Sequence, residues 1–182
     1  YGLFEDERPL PCGSEEEVYK ALGLAFVPPE LREDSGEVEA AEEGTLPALL
    51  TFDDIKGTFH VHTDFSDGMD SLERMVEGTR KMGYSYIGIS DHSKSAYYAG
   101  GLKPETLLRQ WEMIDRINER SKSFHVFKGI ESDIQPDGSL DYDEEILKGF
   151  DFVIASIHSG FTMKKDDMEK RIMRAMENPY TT

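Results

Sequence analysis

The sequence predicts an α/β fold with a parallel sheet that curves toward a barrel. From residue 57 onward, short apolar segments alternate with segments of helical spacing, which is typical of βα units joined by right-handed crossovers. Polar candidate ligands fall at the carboxyl ends of all four predicted strands. An open doubly wound sheet also binds at this edge, but in a crevice between two strands. Ligands from every strand therefore favour the barrel-like arrangement.

Residues 1–45 differ from the rest of the chain and predict a small α+β or linker segment ahead of this fold. The run Ser14–Glu17 has the pattern of a capping box that begins a short helix, and Gly23 is placed to end it. The stretch 32–44 is acidic and has few large apolar side chains, which predicts an extended or loosely helical connector. We therefore place a boundary after residue 45, with the main domain at 46–182.

The main domain is predicted to contain four strands and four helices in alternation. Asp70–Glu73 has the pattern of a helix start, and Gly83 is suited to end that helix. Pro104 suits the first position of a long helix whose apolar residues recur every three and four positions. The fourth strand is nearly continuous in apolar residues, as buried parallel strands are. We predict strands at 58–62, 84–90, 124–130 and 150–158, and helices at 70–82, 104–117, 143–148 and 165–176.

Composition and charge restrict the class of protein. The chain has 182 residues and a formal net charge of −17, which argues against a generic nucleic-acid-binding surface. Bound divalent cations would offset part of this charge in a cluster of carboxylates. The single cysteine, Cys12, excludes an intramolecular disulfide framework and fits a reducing cytosol, so we predict a cytoplasmic location. No apolar run approaches the roughly 20 residues of a membrane span, and no signal peptide is visible.

The run from Gly57 to Gly68 carries the strongest functional signal. His60 and His62 lie two apart on a predicted strand, and alternation of side chains would place both imidazoles on one face. A turn at 66–68 then ends the strand and can bring the Asp67 carboxylate back toward them. Two imidazoles and a carboxylate at one strand end indicate part of a metal site.

Further candidates lie at the ends of the other strands. His92 comes after the second strand, Glu131 after the third, and His158 at the end of the fourth. Each of these alone is more often a structural or solvated residue, but four of the five histidines fall at the same edge of the sheet. His125 begins its strand and belongs to the opposite end. Asp91 is expected in a supporting position, where its carboxylate would orient an imidazole.

The number and type of these residues point to more than one ion. Six ligands are too many for one tetrahedral metal, and mixed imidazole and carboxylate ligation suits Zn²⁺, Mn²⁺ or Fe²⁺, with Glu131 as a bridging carboxylate. Clustered divalent ions clamp a phosphate, lower the pKa of bound water and stabilise a leaving oxygen, so phosphoester hydrolysis is favoured. Deacylation and deamination at a similar site stay open. The predicted metal ligands are His60, His62, Asp67, His92, Glu131 and His158.

Taken in order, these segments resemble the motifs of the PHP (polymerase and histidinol phosphatase) superfamily. The flanking sequence is similar to X-family DNA polymerases of bacteria and archaea, whose PHP domain lies at the C-terminus. Residues 1–4, 15–23 and 28–33 resemble the end of the polymerase core, and 36–47 resembles the linker that precedes the PHP domain. The segments that resemble PHP motifs are His60–Thr63, Ser66–Gly68, Ser90–Ser93, Gly129–Glu131 and Ala155–His158.

The resemblance implies a distorted (βα)7 TIM-like barrel that holds up to three metal ions, often Mn²⁺ or Zn²⁺. It implies phosphoesterase activity such as 3′–5′ exonuclease action or processing of DNA 3′ ends, with DNA reached through the parent polymerase in repair. The six residues would be metal ligands, Glu131 would bridge two ions, and a metal-bound hydroxide would be the nucleophile.

The family pattern also has parts that this sequence lacks. The last three ligands of the family lie in a His-Pro motif and an Asp-x-His motif, and Asn178–Tyr180 resembles the approach to the first. We therefore expect an incomplete barrel and site in this chain, with dimerisation or instability through exposed apolar faces. Two alternatives stay open: a small-molecule phosphatase similar to histidinol phosphatase, against which the polymerase-like first 45 residues count, and a non-catalytic module that binds metal or a partner.

Overall fold

The computed structural model describes residues 3–182 and divides the chain into two compact units, Tyr1–Thr51 and Phe52–Thr182. Tyr1 and Gly2, which belong to the polymerase-like N-terminal sequence, lie outside the described residues. Among the described residues, none of the helices has the length and apolar character that crossing a bilayer requires.

The first unit begins with an antiparallel hairpin that the sequence did not predict. Its strands are β1 (Leu3–Glu5) and β2 (Arg8–Leu10). Helix α1 (Glu15–Ala21) confirms the predicted helix, because the Ser14 side chain accepts a hydrogen bond from the Glu17 backbone N–H at 3.3 Å. Gly23 follows the helix with φ of 74°, the left-handed conformation that suits glycine at a helix end.

Of the two alternatives predicted for the connector at 32–44, the structure has the helical one and not the extended one. The segment contains an ordered helix, α2 (Glu37–Glu43). The Glu37 carboxylate accepts hydrogen bonds from the backbone N–H groups of Asp34 and Ser35, and the buried Ala41 carbonyl accepts one from Ala25 at 3.1 Å. One buried small residue and these backbone contacts therefore accompany a helix in a segment that its acidic composition alone describes as solvated.

The second unit confirms the mixed α/β class and the parallel sheet. Its four strands pair in the order β3-β4-β5-β6, and every pair is parallel. The strands are β3 (Gly57–Val61), β4 (Tyr86–Ile89), β5 (His125–Asp133) and β6 (Phe152–Ser156). The helices are α3 (Leu72–Lys81), α4 (Pro104–Glu119), α5 (Glu144–Leu147) and α6 (Lys165–Met176).

Local sequence explains where these elements begin and end. The Ser71 hydroxyl caps α3 by accepting from the Arg74 N–H, and Pro104 occupies the first turn of α4. β5 runs three residues beyond its predicted end, so Glu131 lies within the strand and not directly after it. This extension matters for the site, because it places Glu131 and Asp133 in regular pairing with β6.

The core lies between the sheet and its helices, whereas the opposite face of the sheet carries aromatic rings. Phe59 packs against Phe127 and Phe152 with ring centroids 5.4 and 5.0 Å apart. Gly129 makes room for this packing, because a Cβ there would lie 2.1 Å from the Phe152 ring. The helix-side core is formed by Leu72, Val76, Ile87, Ile89 and Ile114 in one cluster and by Leu102, Leu107, Ile130, Leu147 and Val153 in another.

Candidate metal centre

His60 in β3 and His62 just after this strand reach the site through a β-bulge. The pairing of β3 with β4 shifts register between Thr58 and Val61, and His60 has φ of 61°, a left-handed conformation that costs a non-glycine residue energy. Regular alternation, which was the reason for expecting His60 and His62 on one face, is therefore interrupted at this point. Their rings nevertheless lie near each other, with centroids 5.4 Å apart.

The bulge also resets which face the neighbouring side chains occupy. Phe59 joins the aromatic face of the sheet, whereas Val61, two residues later, packs into the helix-side core. In a regular strand these two side chains would share a face. The inserted residue therefore allows β3 to supply both an apolar anchor and two imidazoles.

Glu131 is the centre of the cluster. Its Oε2 lies 3.4 Å from His60 Nε2 and 3.3 Å from His62 Nε2. The same oxygen lies 3.2 Å from His92 Nδ1, and Oε1 lies 3.3 Å from His158 Nε2. The Glu131 side chain is only 7% exposed, so one buried carboxylate faces imidazoles supplied by the ends of the three other strands.

Asp67 returns to the cluster on the turn that follows β3. Its Oδ1 lies 3.1 Å from His62 Nδ1, and its Oδ2 lies 3.5 Å from His92 Nε2. The turn closes through hydrogen bonds from the backbone N–H groups of Ser66 and Gly68 to the Thr63 carbonyl. A Cβ at Gly68 would lie 2.6 Å from the His62 carbonyl oxygen, so this close approach of two backbone segments requires glycine.

The structure brings all six sequence-predicted residues together in three overlapping groups. In each group the candidate ligand atoms lie within 4.8 Å of one another. Glu131, His62 and His92 each belong to two groups, which is the arrangement expected where neighbouring ions share ligands. The groups are His60, His62 and Glu131; His62, Asp67 and His92; and His92, Glu131 and His158.

A buried nitrogen in the cluster fits a metal ligand. His92 Nδ1 is buried and makes no hydrogen bond of acceptable geometry among the described residues, although Glu131 Oε2 lies 3.2 Å away. A buried polar atom without a partner is costly unless a ligand satisfies it. Imidazole nitrogens and carboxylate oxygens within this range could hold Zn²⁺, Mn²⁺ or Fe²⁺, so the donor set fits the predicted ions.

Asp91 supports the site, but not through an imidazole as the sequence suggested. The fully buried carboxylate accepts hydrogen bonds from the Thr63 backbone N–H and hydroxyl, both at 2.7 Å, and from Gln110 Nε2 at 2.6 Å. The Ser66 hydroxyl donates a further bond to Asp91 at 2.5 Å. These contacts hold the turn that carries Asp67 against the end of β4.

Asp133 is a supporting residue that the sequence analysis missed. Its Oδ1 lies 3.1 Å from His158 Nδ1, which leaves His158 Nε2 to face Glu131. Its backbone N–H donates to the Ser93 hydroxyl at 2.9 Å. The spacing of Glu131 and Asp133 places them on one face of a strand, but the predicted strand ends at residue 130 and so does not include either residue.

In the protein without metal ions, the pKa values of Glu131 and His62 are shifted by the hydrogen bond between them. Burial favours a raised pKa for Glu131, but hydrogen bonds from His62, Ser156 and His60 outweigh it and hold the pKa below its usual value. The hydrogen bond to Glu131 raises the pKa of His62 against the opposing effect of burial. Burial lowers the pKa of His92 and raises that of Asp133. The centre therefore places a carboxylate with a lowered pKa among the imidazoles of the cluster.

His125 lies outside the cluster, at the first position of β5. Its ring packs on Phe127 with centroids 4.5 Å apart. Because it does not face Glu131, substitution of His125 is a suitable control for substitutions of the four histidines that do.

Comparison with known families gives two matches, in separate parts of the chain. The PHP domain model matches residues 58–181, and the DNA polymerase beta thumb model matches residues 1–33. The chain is 42% identical over 167 residues to the DNA polymerase/3′-5′ exonuclease PolX of Bacillus subtilis, which covers 92% of this chain and 29% of that protein.

Probable phosphatases also match. One from Caldanaerobacter subterraneus is 33% identical over 66% of this chain and 47% of its own length. One from Thermoanaerobacter sp. is 32% identical over 56% of this chain and 48% of its own length. The chain thus spans less than a third of the polymerase and about half of each phosphatase.

Proposed function

The chain belongs to the PHP domain family, and its first 33 residues match the DNA polymerase beta thumb. From these two matches we propose that it is the metal-dependent phosphoesterase part of an X-family DNA polymerase. We propose 3′–5′ exonuclease action or 3′-end processing of DNA in repair as its activity. The observation that carries the proposal is the buried Glu131 carboxylate, which lies within 3.4 Å of imidazole nitrogens from three other strand ends.

The proposed ligands divide the work at this centre. His60 and His62 with Glu131 would hold one ion, and His92 and His158 with Glu131 another, so Glu131 would bridge. Asp67 would complete a third position with His62 and His92. When bound, such ions lower the pKa of water, polarise a phosphoryl group and stabilise the leaving oxygen. Mn²⁺ and Zn²⁺ are the ions we propose, with Fe²⁺ as a further candidate.

Other residues of the chain would fix these ligands in place. Asp91 holds the Asp67 turn through Thr63 and Ser66, and Asp133 orients His158 through Nδ1. Such outer contacts set the tautomer and direction of a ligating imidazole.

The finer assignments of domain, fold and location are proposals of the same kind. We propose that residues 1–45 are the end of a polymerase core with its linker and that 46–182 form the first part of a PHP domain. The four parallel strands would then be the first strands of a distorted (βα)7 barrel. We also propose a cytoplasmic location and DNA 3′ ends as the partner, reached through the polymerase.

A second candidate function is hydrolysis of a small phosphate monoester. The similarity to probable phosphatases over about two thirds of this chain favours it. The match of residues 1–33 to the polymerase thumb favours the DNA activity instead. A non-catalytic role in metal or partner binding would show as a metal-loaded chain without turnover.

One experiment separates these functions. We would measure metal content and then hydrolysis, with added Mn²⁺, of a 3′-labelled DNA oligonucleotide, a 3′-phosphate DNA end and histidinol phosphate. We expect the full-length parent protein to hydrolyse the DNA substrates, to lose this activity in His60→Ala and to retain it in the matched variant His125→Ala. Hydrolysis of histidinol phosphate alone by the full-length parent would exclude the DNA activity. A full-length parent that binds no metal and turns over no substrate would exclude both enzyme functions.

A further inference from the structure

An exposed tyrosine stands at the rim of the candidate metal centre. The Tyr98 ring centroid lies 6.2 Å from that of His92 and 6.3 Å from that of His158. These two histidines share one of the candidate ion positions with Glu131. The Tyr98 residue is 69% exposed, so the ring combines a position beside the site with a large surface open to solvent.

The turn that carries Tyr98 is held by other residues. Ala96 is fully buried, and its carbonyl accepts a hydrogen bond from the Gly101 N–H at 3.0 Å. The Leu102 N–H donates to the His92 carbonyl at 2.8 Å, which ties the far end of the turn to the site. The fold therefore places the tyrosine ring at the rim without using the ring as core.

We propose that Tyr98 forms a base-binding subsite, where its ring stacks on the terminal nucleobase of a single-stranded 3′ end whose phosphodiester lies at Glu131. The inference rests on the proposed phosphoesterase function and adds a contact to the organic part of the substrate. It makes the preferred substrate a nucleotide-bearing ester rather than a simple phosphate monoester.

The charge of the chain favours stacking as the source of affinity. A formal net charge of −17 repels a polyanion, so contacts that need no positive charge would add affinity beyond what the proposed metal ions supply at the phosphodiester. Stacking of a base on an exposed aromatic ring is such a contact, and it tolerates any base.

The Tyr98 hydroxyl offers a rival contact. A phenol hydroxyl is a hydrogen-bond donor and could donate to a phosphoryl oxygen. A phenylalanine at this position keeps the ring and removes that donor, which separates the two contacts.

The test is equilibrium binding of short single-stranded DNA, measured by fluorescence anisotropy with Mn²⁺. The probe is a 5′-labelled oligonucleotide with a phosphorothioate at the last linkage, and the comparison probe has an abasic residue at its 3′ terminus. Tyr97 is the matched control, because it is adjacent, 84% exposed and on the same turn. The variants are Tyr98→Ala, Tyr98→Phe and Tyr97→Ala.

We expect Tyr98→Ala to weaken binding of the normal end by roughly 5- to 150-fold and to leave the abasic end nearly unchanged. Tyr98→Phe and Tyr97→Ala should bind as the unmodified chain does. Unchanged binding by Tyr98→Ala would overturn the proposal, as would a loss in Tyr98→Phe equal to that in Tyr98→Ala, which would assign the contact to the hydroxyl. Lack of measurable binding by the unmodified chain would also overturn it.

Activity measurements keep this inference distinct from the proposed function. If the chain hydrolyses no phosphoester but shows the base-dependent loss in Tyr98→Ala, the proposed function fails and the binding site stands. If the chain hydrolyses DNA 3′ ends and Tyr98→Ala changes neither binding nor KM, the phosphoesterase stands and the base-binding subsite fails.

Discussion

The ends of β3 and β5 supply ligands to the same centre in opposite ways. The end of β5 is regular and buried, and its Glu131 side chain is 7% exposed. The end of β3 is bulged, its His60 has a left-handed backbone, and the His60 side chain is 47% exposed. The end of β3 supplies His60 and His62, and the end of β5 supplies Glu131 and Asp133. The two ends therefore differ in backbone regularity and exposure as well as in residue type.

This comparison indicates that the sheet fixes the position of Glu131, whereas the position of His60 depends on a local backbone conformation. Glu131 is held by the pairing of β5 with both neighbouring strands, so its position is set by the sheet. His60 depends on a local conformation that the chain adopts at a cost. We expect substitutions at the β5 end to affect metal binding most, and substitutions at the β3 end to expose a conflict between stability and function.

The largest effect is expected for Glu131→Gln. The amide keeps the shape but removes the charge that faces four imidazoles, so metal affinity should fall by more than the roughly 100-fold that loss of an outer contact costs. Isothermal titration with Mn²⁺ measures this, with Glu145→Gln on the surface of α5 as the control. Retention of metal affinity would show that Glu131 is not the shared ligand.

A smaller effect is expected at the other residue of the same strand end. Asp133→Asn weakens the contact that orients His158, and metal affinity should fall about 10- to 100-fold. Asp137→Asn, at an exposed turn nearby, should leave the affinity unchanged. A change in unfolding free energy without a change in metal affinity would make Asp133 a purely structural residue.

The sequence predicted helix positions better than it predicted the two strand ends, for physical reasons. Local signals placed α6 at its observed bounds of 165–176 and placed the starts of α3 and α4, because caps and helical spacing act within a few residues. The bulge at His60 depends on the register between β3 and β4, which no local pattern encodes. The length of β5 depends on its pairing with β6, so Asp133 was missed for the same reason.

The order of the short α2 helix shows the same limit in the first unit. Acidic composition predicts an extended or loosely helical connector at 32–44, whereas the structure has a helix in which Ala41 is buried and Glu37 binds the backbone just before the helix. Composition gives only the average polarity of a segment, so it does not show that a single residue such as Ala41 is buried in a helix.

The cost of the bulge can be measured by comparing two substitutions at His60. Both His60→Ala and His60→Gly remove the imidazole, but glycine adopts a positive φ without strain. We expect His60→Gly to be more stable than His60→Ala by about 1 kcal/mol in urea unfolding of the metal-free chain. The same pair at His125, in a regular strand, should give the opposite order. Equal stabilities at His60 would mean that the bulge relaxes.

The smallest expected effect is a pH dependence of opposite sign at two neighbouring histidines. The pKa of His62 is raised by its hydrogen bond to Glu131, so its contribution to the free energy of unfolding is present at low pH and is lost as pH rises through the folded-state pKa. The pKa of His92 is lowered by burial, so its contribution grows as pH rises through the same region. Urea unfolding of the metal-free chain below and above pH 6.5, the ordinary value for both, measures the balance. His62→Ala should leave a stability that rises with pH, and His92→Ala one that falls; the same slope in both variants would contradict the assigned causes.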